Sequence, residues 1–311
     1  MDSPFPYVDG VEHRFVEAGG LRMHLAEAGA GPPLLLLHGW PQHWYQWRRV
    51  LPLLAGEFHL LMPDLRGFGW TDAPDGPYDK EQLASDTLAL LDVLELERVP
   101  VLAHDWGGWI AFLLALRAPE RVERLLTLNI PHPFQRIDLH RLIATWRFWY
   151  QWLIAAPWLG EWTLVHRPGF VRFILTTDTV HRETLVPAEV DEFAQRLREP
   201  ARAQASSRLY RTFTVREFAA VAAGRYRRQR LRVPTRIVFG VHDAFVSPVW
   251  LSGFEPYADD MAVELVPDAG HFIAEEKPEL VAARARQFLG AARNRPTAST
   301  ESGRAAPTWR A

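Results

Sequence analysis

Short apolar runs alternate with amphipathic stretches through the first part of the chain. Residues 11–17 and 21–25 alternate apolar and polar positions around two glycines, which predicts a β-hairpin at a sheet edge. Apolar positions at helical spacing predict helices over residues 45–54 and 82–94. Continuous apolar runs predict strands that are buried on both faces of a parallel sheet: residues 33–37, 58–62, 99–103 and 125–128.

This alternation stops near residue 132 and resumes near residue 231. The stretch between carries no strand-like run, and its helix-like segments are rich in Trp, Phe, Arg and Leu: 141–154, 169–175, 187–198 and 200–211. Strands are again expected over residues 235–239 and 262–266, with a closing helix over 278–289. We therefore predict an α/β fold with a mostly parallel central sheet and a helical insertion.

The same pattern predicts the domain organisation. Residues 1–131 and 231–293 form the α/β core, residues 132–230 form the helical insertion, and the polar residues 294–311 form a disordered tail. We expect the tryptophans of the insertion to line an apolar substrate cavity rather than a membrane-binding surface.

The composition is that of a soluble globular protein, because 48% of the 311 residues are hydrophobic and 23% are charged. A net charge of −2 attracts neither nucleic acid nor an anionic membrane, so we expect neither partner. The absence of cysteine excludes disulfides and a cysteine nucleophile. We find no secretory signal and no apolar run near the roughly 18–20 residues of a membrane span. We therefore predict a cytoplasmic protein without stable membrane association, and we leave a homodimer open.

One stretch joins a strand end to an acidic turn. The apolar run that ends at His104 is followed by Asp105, two glycines and a helix-like pattern. Ala103 and Gly107 are small residues at the two positions where strand and helix must nearly touch. This is the layout of a nucleophile elbow, whose turn residue projects above the sheet edge. The projecting residue here is an aspartate, where serine or cysteine is usual.

An elbow nucleophile needs a base, an orienting acid and an anion hole. Asp243 and His271 each follow a predicted strand, in the order nucleophile, acid, histidine. The carboxyl ends of parallel strands meet at one edge of a sheet, so we expect both side chains near Asp105. The main-chain amides of Trp40 and Trp106 are candidates for the anion hole.

Three other residues compete with Asp243 for the role of the acid. Asp64 precedes the elbow in a motif that is usually structural, and Asp268 lies too close to His271 in sequence. Asn129 ends the strand after the elbow, but an amide cannot supply the charge. Asp243 is therefore the preferred orienting acid.

Five motifs, in this order and at these separations, carry a family resemblance: residues 38–41 (HGWP), 64–69 (DLRGFG), 103–108 (AHDWGG), 240–243 (GVHD) and 270–272 (GHF). Together they resemble the epoxide hydrolases of the α/β-hydrolase fold, over roughly residues 11–289. The resemblance implies an α/β-hydrolase fold, a mostly parallel sheet with an inserted helical cap, and chemistry without a cofactor or a metal.

An aspartate nucleophile implies attack on carbon. A carboxylate with a reference pKa of about 3.9 is anionic at neutral pH and can displace a leaving group at an sp³ carbon. The product is an alkyl ester of Asp105. His271, oriented by Asp243, would deprotonate the water that attacks the ester carbonyl. The resulting oxyanion would face the amides of Trp40 and Trp106.

Epoxides and alkyl halides both fit such a nucleophile. The family's epoxide hydrolases use two cap tyrosines as proton donors to the opened epoxide, and the sequence surroundings carry these roles to Tyr150 and Tyr210. Either tyrosine could instead be ordinary packing, and Tyr226 is the competing candidate. Trp40 and Trp106 would contact the substrate together with the two tyrosines.

The residues around the nucleophile favour a neutral, apolar epoxide. Trp40 stands where haloalkane dehalogenases typically have Asn. The residues after Asp105 include no arginine of the kind that holds a carboxylate in fluoroacetate-type dehalogenases. We therefore predict hydrolysis of an epoxide to a vicinal diol. The alternatives are a haloalkane dehalogenase with the same nucleophile and a non-catalytic protein that binds apolar ligands.

Overall fold

An eight-stranded sheet runs through the structure, a computed structural model that describes residues 4–290. Its strands are β1 (Glu12–Ala18), β2 (Leu21–Ala28), β3 (Pro33–Leu37), β4 (His59–Pro63), β5 (Val99–His104), β6 (Val122–Leu128), β7 (Thr235–Gly240) and β8 (Met261–Val266). Their order across the sheet is β1-β2-β4-β3-β5-β6-β7-β8. β1, β2 and β4 pair antiparallel, and every pair from β4–β3 to β7–β8 is parallel.

Twelve α-helices lie within the described residues: α1 (Leu51–Leu54), α2 (Lys80–Val93), α3 (Trp106–Arg117), α4 (Leu139–Ala144), α5 (Trp149–Ala155), α6 (Leu159–His166), α7 (Pro168–Thr177), α8 (Pro187–Arg196), α9 (Pro200–Thr212), α10 (Phe218–Ala222), α11 (Ile273–Glu276) and α12 (Pro278–Leu289). A π-helical turn, Phe213–Glu217, continues α9. Short 3-10 helices cover Trp44–Trp47, Pro119–Arg121, Thr145–Phe148, Arg182–Thr184, Pro248–Leu251 and Glu255–Tyr257.

Local sequence explains where several of these helices begin. Asp79 caps α2, because its side chain accepts the amide N–H of Gln82 at 2.9 Å. Proline occupies the first turn of α7, α8, α9 and α12, where its missing N–H costs no hydrogen bond. Helix α12 has the limits predicted for the closing helix, residues 278–289.

Two predicted helices are interrupted. The segment 45–54 divides into the 3-10 helix Trp44–Trp47 and α1, because Pro52 has no N–H to continue a helix from the preceding turn. The segment 141–154 divides into α4, the 3-10 helix Thr145–Phe148 and α5. Helix α6 was not predicted; it follows a turn in which Trp158 has a positive φ of 62°.

The chain between β6 and β7 is helical. All of its residues are described, and α4 to α10 lie there without a strand. The insertion is anchored to the core by ion pairs, including Arg48 with Glu189 at 2.6 Å and Lys80 with Glu217 at 2.8 Å. The predicted mostly parallel sheet is confirmed. The domain limits stay predictions, and the predicted disordered tail, 294–311, lies outside the described residues.

The apolar core lies on both faces of the sheet. The four leucines of β3 are fully buried, as expected for a central parallel strand. The expectation that the tryptophans of the insertion line a cavity is wrong, because all five are 44–83% exposed: Trp146, Trp149, Trp152, Trp158 and Trp162. They lie on the outer side of short helices that bury only their inner side. Within residues 4–290, no helix is both long and apolar enough for a membrane crossing.

Candidate active site

Asp105 occupies the tip of the turn between β5 and α3. Its backbone angles, φ 48° and ψ −125°, are unusual for a residue other than glycine, and they hold the side chain above the end of the strand. Gly107 makes the turn sterically feasible, because a Cβ there would lie 2.4 Å from the carbonyl oxygens of Leu37 and His38. The structure therefore has the strand, turn and helix that the sequence predicts around Asp105.

Two main-chain amides converge on the Asp105 carboxylate. The amide N–H of Trp40 donates to Oδ2 at 2.9 Å, and the amide of Trp106 also hydrogen-bonds this side chain. Gly39 permits the approach, because a Cβ at this position would lie 2.5 Å from Oδ2. Burial raises the pKa of Asp105, while the His271 charge and the two amides oppose that shift.

His271 lies between two carboxylates. Its Nδ1 lies 2.7 Å from Oδ2 of Asp243, and its Nε2 lies 3.8 Å from Oδ1 of Asp105. Burial lowers the pKa of His271, but the charge and hydrogen bond of Asp243, together with the Asp105 charge, raise it to about 10. Part of this shift depends on an anionic Asp105, so neutralising Asp105 would lower the pKa of the imidazole.

Asp243 is fixed by four hydrogen bonds. The amides of Phe245 and Val246 donate to Oδ1 at 2.9 and 2.6 Å, and Asn129 Nδ2 donates to Oδ2 at 3.0 Å beside His271. Asn129, which was considered as an alternative acid, is therefore a neutral donor to the preferred one. These contacts orient the Asp243 carboxylate toward the imidazole.

A buried carboxyl group that the sequence did not indicate lies beside this pair. Asp178 follows α7, and its main-chain carbonyl accepts the N–H of His271 at 3.0 Å. Its Oδ1 accepts the N–H of Ala244, and its Oδ2 receives no hydrogen bond from the described residues. Burial, followed by the Asp243 charge, raises the pKa of Asp178 well above its usual range. Both effects favour the protonated form of Asp178 over its anion.

The carboxyl and imidazole atoms of Asp178, Asp243 and His271 lie within 4.8 Å of one another, a spacing that a metal ion could bridge. The protein's own hydrogen bonds already occupy the Asp243 oxygens. We therefore interpret the cluster as two acids and a histidine that share protons. No motif indicated Asp178, because it belongs to the insertion and is far from its partners in sequence.

Two buried tyrosines lie on the insertion side of Asp105. Tyr150 in α5 and Tyr210 in α9 are 6% and 1% exposed, and their ring centroids lie 5.9 Å apart. Trp40 stacks on the Tyr150 ring at 5.9 Å and meets the Tyr210 ring edge-on at 5.3 Å. Burial is the largest cause that raises both tyrosine pKa values, and the Asp105 charge adds to it. Both hydroxyls are therefore protonated at neutral pH.

The competing candidates lie elsewhere. The Tyr226 hydroxyl donates to Glu81 at 3.0 Å. Asp268 pairs with Lys277 at 2.7 Å at the surface. Asp64 is buried, and its Oδ2 lies 2.7 Å from His24 Nδ1. None of these three contacts involves the groups around Asp105.

Lys80 is a second residue that the sequence did not indicate. It is fully buried, and its Nζ donates to the Leu209 carbonyl at 2.9 Å and to Glu217 at 2.8 Å. The same Nζ lies 4.4 Å from the centre of the Trp106 ring, within the range of a cation–π contact. Lys80 therefore connects the residue after Asp105 to the helix that carries Tyr210.

Comparisons with known proteins identify the family of this chain. The chain matches the family model of the alpha/beta hydrolase fold over residues 32–278. It is 31% identical to the soluble epoxide hydrolase of Corynebacterium sp. (strain C12), over 90% of this chain and 97% of that protein. It is 30% identical to the fluoroacetate dehalogenase of Burkholderia sp., over 92% of this chain and 96% of that protein. The solved structure of the epoxide hydrolase CorEH without ligand is similar, with a TM-score of 0.79 and 29% identity over 91% of this chain and 100% of that chain.

The sheet order, the Asp105 turn and the matched residues together define an α/β hydrolase. The chain belongs to the α/β-hydrolase fold family and, within it, to the epoxide hydrolase family, with relatives that include a dehalogenase. The predicted fold class, the family resemblance and the assignment as a hydrolase are thereby confirmed.

Proposed function

We propose that this protein is an epoxide hydrolase that opens a neutral, apolar epoxide to a vicinal diol through a covalent ester of Asp105. One observation carries the proposal. The buried Asp105 carboxylate lies between a histidine–carboxylate pair on the sheet side and two protonated tyrosines on the insertion side. This arrangement places a nucleophile, a base and two proton donors around the space in which the epoxide would react.

In the first step, Asp105 attacks an epoxide carbon. Its Oδ2 is engaged by the Trp40 amide, so Oδ1, on the His271 side, is the attacking oxygen. A bond forms between Oδ1 and carbon, and the strained carbon–oxygen bond of the epoxide breaks. The departing alkoxide takes a proton from the hydroxyl of Tyr150 or Tyr210, so no free alkoxide is released.

In the second step, water hydrolyses the ester. Esterification removes the Asp105 charge, which lowers the pKa of His271 and frees its Nε2 to accept a proton from water. The hydroxide attacks the ester carbonyl, and the amides of Trp40 and Trp106 stabilise the oxyanion on Oδ2. The tetrahedral intermediate then expels the diol oxygen as an alkoxide, which takes the proton of the newly formed Asp105 carboxylic acid and so restores the carboxylate. The proton held by His271 returns to the tyrosine that gave up its proton in the first step.

The helical insertion, residues 132–230, acts as the cap in this proposal. It supplies both tyrosines, and Trp40, Trp106, Tyr150 and Tyr210 form apolar and hydrogen-bonding walls for the substrate. The steps use only side chains and water, so we propose a cofactor-independent reaction on a small-molecule epoxide. The cytoplasmic location stays a prediction.

Haloalkane dehalogenation is the second candidate. The dehalogenase relative and the aspartate nucleophile favour it, because the same ester can form with loss of halide. Halide departure needs no proton, which leaves the two protonated tyrosines without a role. A protein that only binds apolar ligands would need neither the tyrosines nor the ordered Asp243–His271 pair.

A substrate panel tests the proposal. Aryl and alkyl epoxides and bromoalkanes of matched length would be supplied, with diol and bromide measured in parallel. We expect diol from the epoxides and its loss in Asp105→Asn, with intact mass used to exclude deamidation of the asparagine. Bromide release without diol would select the dehalogenase, and tight binding without either product would select the binding protein.

A further inference from the structure

Lys80, in the first turn of α2, reaches both the sheet side and the insertion side of the candidate site. Its Nζ lies 4.4 Å from the centre of the ring of Trp106, the residue after Asp105. The same Nζ donates at 2.9 Å to the main-chain carbonyl of Leu209, the residue before Tyr210. Lys80 is fully buried, and the removal of an ammonium group from water is costly, so this position indicates a specific role.

The groups around the Lys80 Nζ suit an ammonium group. Glu217 Oε2 lies at 2.8 Å and the Leu209 carbonyl oxygen at 2.9 Å, and both accept hydrogen bonds. The ring centres of Trp106 and Phe213 lie at 4.4 and 4.9 Å, within the range of cation–π contacts. Burial lowers the pKa of Lys80, while the charge and hydrogen bond of Glu217 oppose that shift. Because an ammonium group has three N–H donors, this set of neighbours gives each donor a partner.

The helix that carries Tyr210 continues into an irregular turn. Residues Phe213–Glu217 form a π-helical turn, whose hydrogen bonds span five residues instead of four. This turn brings the Glu217 carboxylate to α2, where Oε1 accepts the main-chain N–H of Lys80 at 2.9 Å and Oε2 accepts Nζ at 2.8 Å. Lys80 therefore holds the irregular end of this helix through both its side chain and its main chain.

The contacts of Lys80 concern one of the two tyrosines more than the other. The four partners of its Nζ lie on α3, on α9 and in the π-helical turn, and none of these four lies on α5, which carries Tyr150. The Tyr210 ring lies 5.7 Å from the Trp106 ring, and its helix carries the Leu209 carbonyl. Loss of the Lys80 side chain should therefore displace Tyr210 more than Tyr150.

We propose that Lys80 is a positioning residue for Tyr210, because its ammonium group fixes the donor helix against the residue that follows Asp105. Lys80 thereby keeps the Tyr210 hydroxyl within reach of the oxygen that departs from the epoxide carbon. A displacement of about 1 Å can slow a reaction by a factor of about 100, so small movements of this helix matter. This role rests on the epoxide chemistry proposed above and concerns only the step in which a tyrosine gives up its proton.

A double-mutant cycle tests this role, with the rate of ester formation measured by rapid quench at several concentrations of one epoxide. We expect Lys80→Met to lower the maximal rate about tenfold in the wild type, and by at least that factor in Tyr150→Phe. In Tyr210→Phe the same substitution should lower it by less than about twofold, because no hydroxyl is left to position. The epoxide concentration that gives half the maximal rate should change by less than about twofold, since a positioning role affects the proton transfer rather than substrate binding.

Two further variants separate positioning from a loss of folding. Lys80→Met leaves the buried Glu217 carboxylate without its counter-ion, so Lys80→Met combined with Glu217→Gln removes both charges and keeps an oxygen for the main-chain N–H of residue 80. This double variant should show the same tenfold loss. Arg48→Met is the matched control, because Arg48 is a buried cation that contacts α8 instead of α9. It should change ester formation by less than about threefold.

The outcomes distinguish the role of Lys80 from the epoxide chemistry itself. An equal loss in all three backgrounds would overturn the positioning role and show that Lys80 supports the site as a whole. Full activity in the variant without both charges would also overturn it, because the loss in Lys80→Met would then come from the unpaired Glu217. A wild type that releases bromide from bromoalkanes but forms no ester with any epoxide would overturn the proposed function and this role together.

Discussion

The two sides of the candidate site are held by different means. On the sheet side, Asp105 and Asp243 receive main-chain N–H groups, and each follows a strand of a parallel sheet. On the insertion side, Tyr150 and Tyr210 are held by ring packing against Trp40 and by burial. The geometry of the ester chemistry is therefore fixed by local backbone structure, while the position of the proton donors depends on how the insertion docks.

The docking itself depends on buried ion pairs. Arg48 of the core contacts Glu189 of α8 at 2.6 Å and Glu275 at 2.7 Å. Lys80 contacts Glu217 and the carbonyl that precedes Tyr210. Substitutions on the sheet side should therefore impair every substrate, whereas substitutions on the insertion side should impair epoxides selectively.

The largest loss of turnover is expected from a substitution on the sheet side. In His271→Gln, ester formation continues but ester hydrolysis loses its base, so steady-state turnover should fall by a factor of about 10³ or more. Intact mass should show the enzyme carrying one substrate. His140→Gln, at an exposed histidine, is the control and should turn over normally. Full turnover in His271→Gln would show that another group activates the water.

The next largest loss of activity is expected from substitutions of the two tyrosines on the insertion side. Tyr150→Phe and Tyr210→Phe should each slow epoxide opening by a factor of about 10–100, and the double variant should lose more, because no donor remains. Rapid-quench measurement of ester formation isolates this step. Release of bromide from any bromoalkane that the enzyme accepts should be nearly unchanged. Tyr226→Phe, whose hydroxyl contacts Glu81, should behave as wild type. Equal losses on epoxide and halide would show that the tyrosines only shape the cavity.

A smaller effect is expected at the contact between the two sides, at Asp178. Burial and the Asp243 charge favour the protonated form of Asp178. Asp178→Asn replaces that form with another neutral donor, so it should change ester hydrolysis by less than about threefold. Asp178→Leu leaves Asp243 and Ala244 without that partner and should slow the same step about tenfold. Asp268→Asn is the surface control. A large loss in Asp178→Asn would show that an ionised carboxylate is needed there.

The smallest expected effect on activity comes from the Glu189 contact that docks the insertion on the core. This contact also makes the stability of the protein depend on pH. Partial burial raises the pKa of Glu189, but hydrogen bonds from Arg48 and Arg49 prevail and lower it to about 2. A depressed carboxyl pKa means that this contact contributes its full stability above about pH 4.5 and loses it as the pH falls toward 2. Glu189→Gln should therefore reduce the stability measured at pH 7 and flatten its decline between these values.

Thermal unfolding across this pH range measures the effect, with Glu192→Gln on the exposed side of α8 as the control. We also expect Glu189→Gln to slow epoxide opening by no more than a factor of about 3, because the Lys80 contacts keep α9 in place. An unchanged pH dependence in Glu189→Gln would show that this contact does not stabilise the docked insertion.

Much of the sheet side could be predicted from sequence because its causes are local. A strand, a turn residue and a helix are consecutive in the chain, and parallel strands bring their carboxyl ends to one edge. The proximity of Asp105, Asp243 and His271 follows from those two facts. Their catalytic roles stay predictions.

The insertion side was harder to predict because its contacts join distant segments. Asp178 meets His271, and Lys80 meets Glu217, across helices whose docking no short motif encodes. Helical periodicity likewise does not show which tryptophans face the core, so Trp152 and Trp158 were wrongly expected to line a cavity. Tyr150 and Tyr210 were located only because their surroundings resemble those of a known family.

One measurement tests the central claim most directly. A single turnover with excess enzyme in water enriched in oxygen-18 follows the oxygen that enters the diol. Attack of water on the Asp105 ester carbonyl predicts an unlabelled diol and one labelled oxygen in the peptide that contains Asp105. A labelled diol and an unlabelled Asp105 after this first turnover would mean that water attacks the epoxide directly, and would contradict the covalent mechanism.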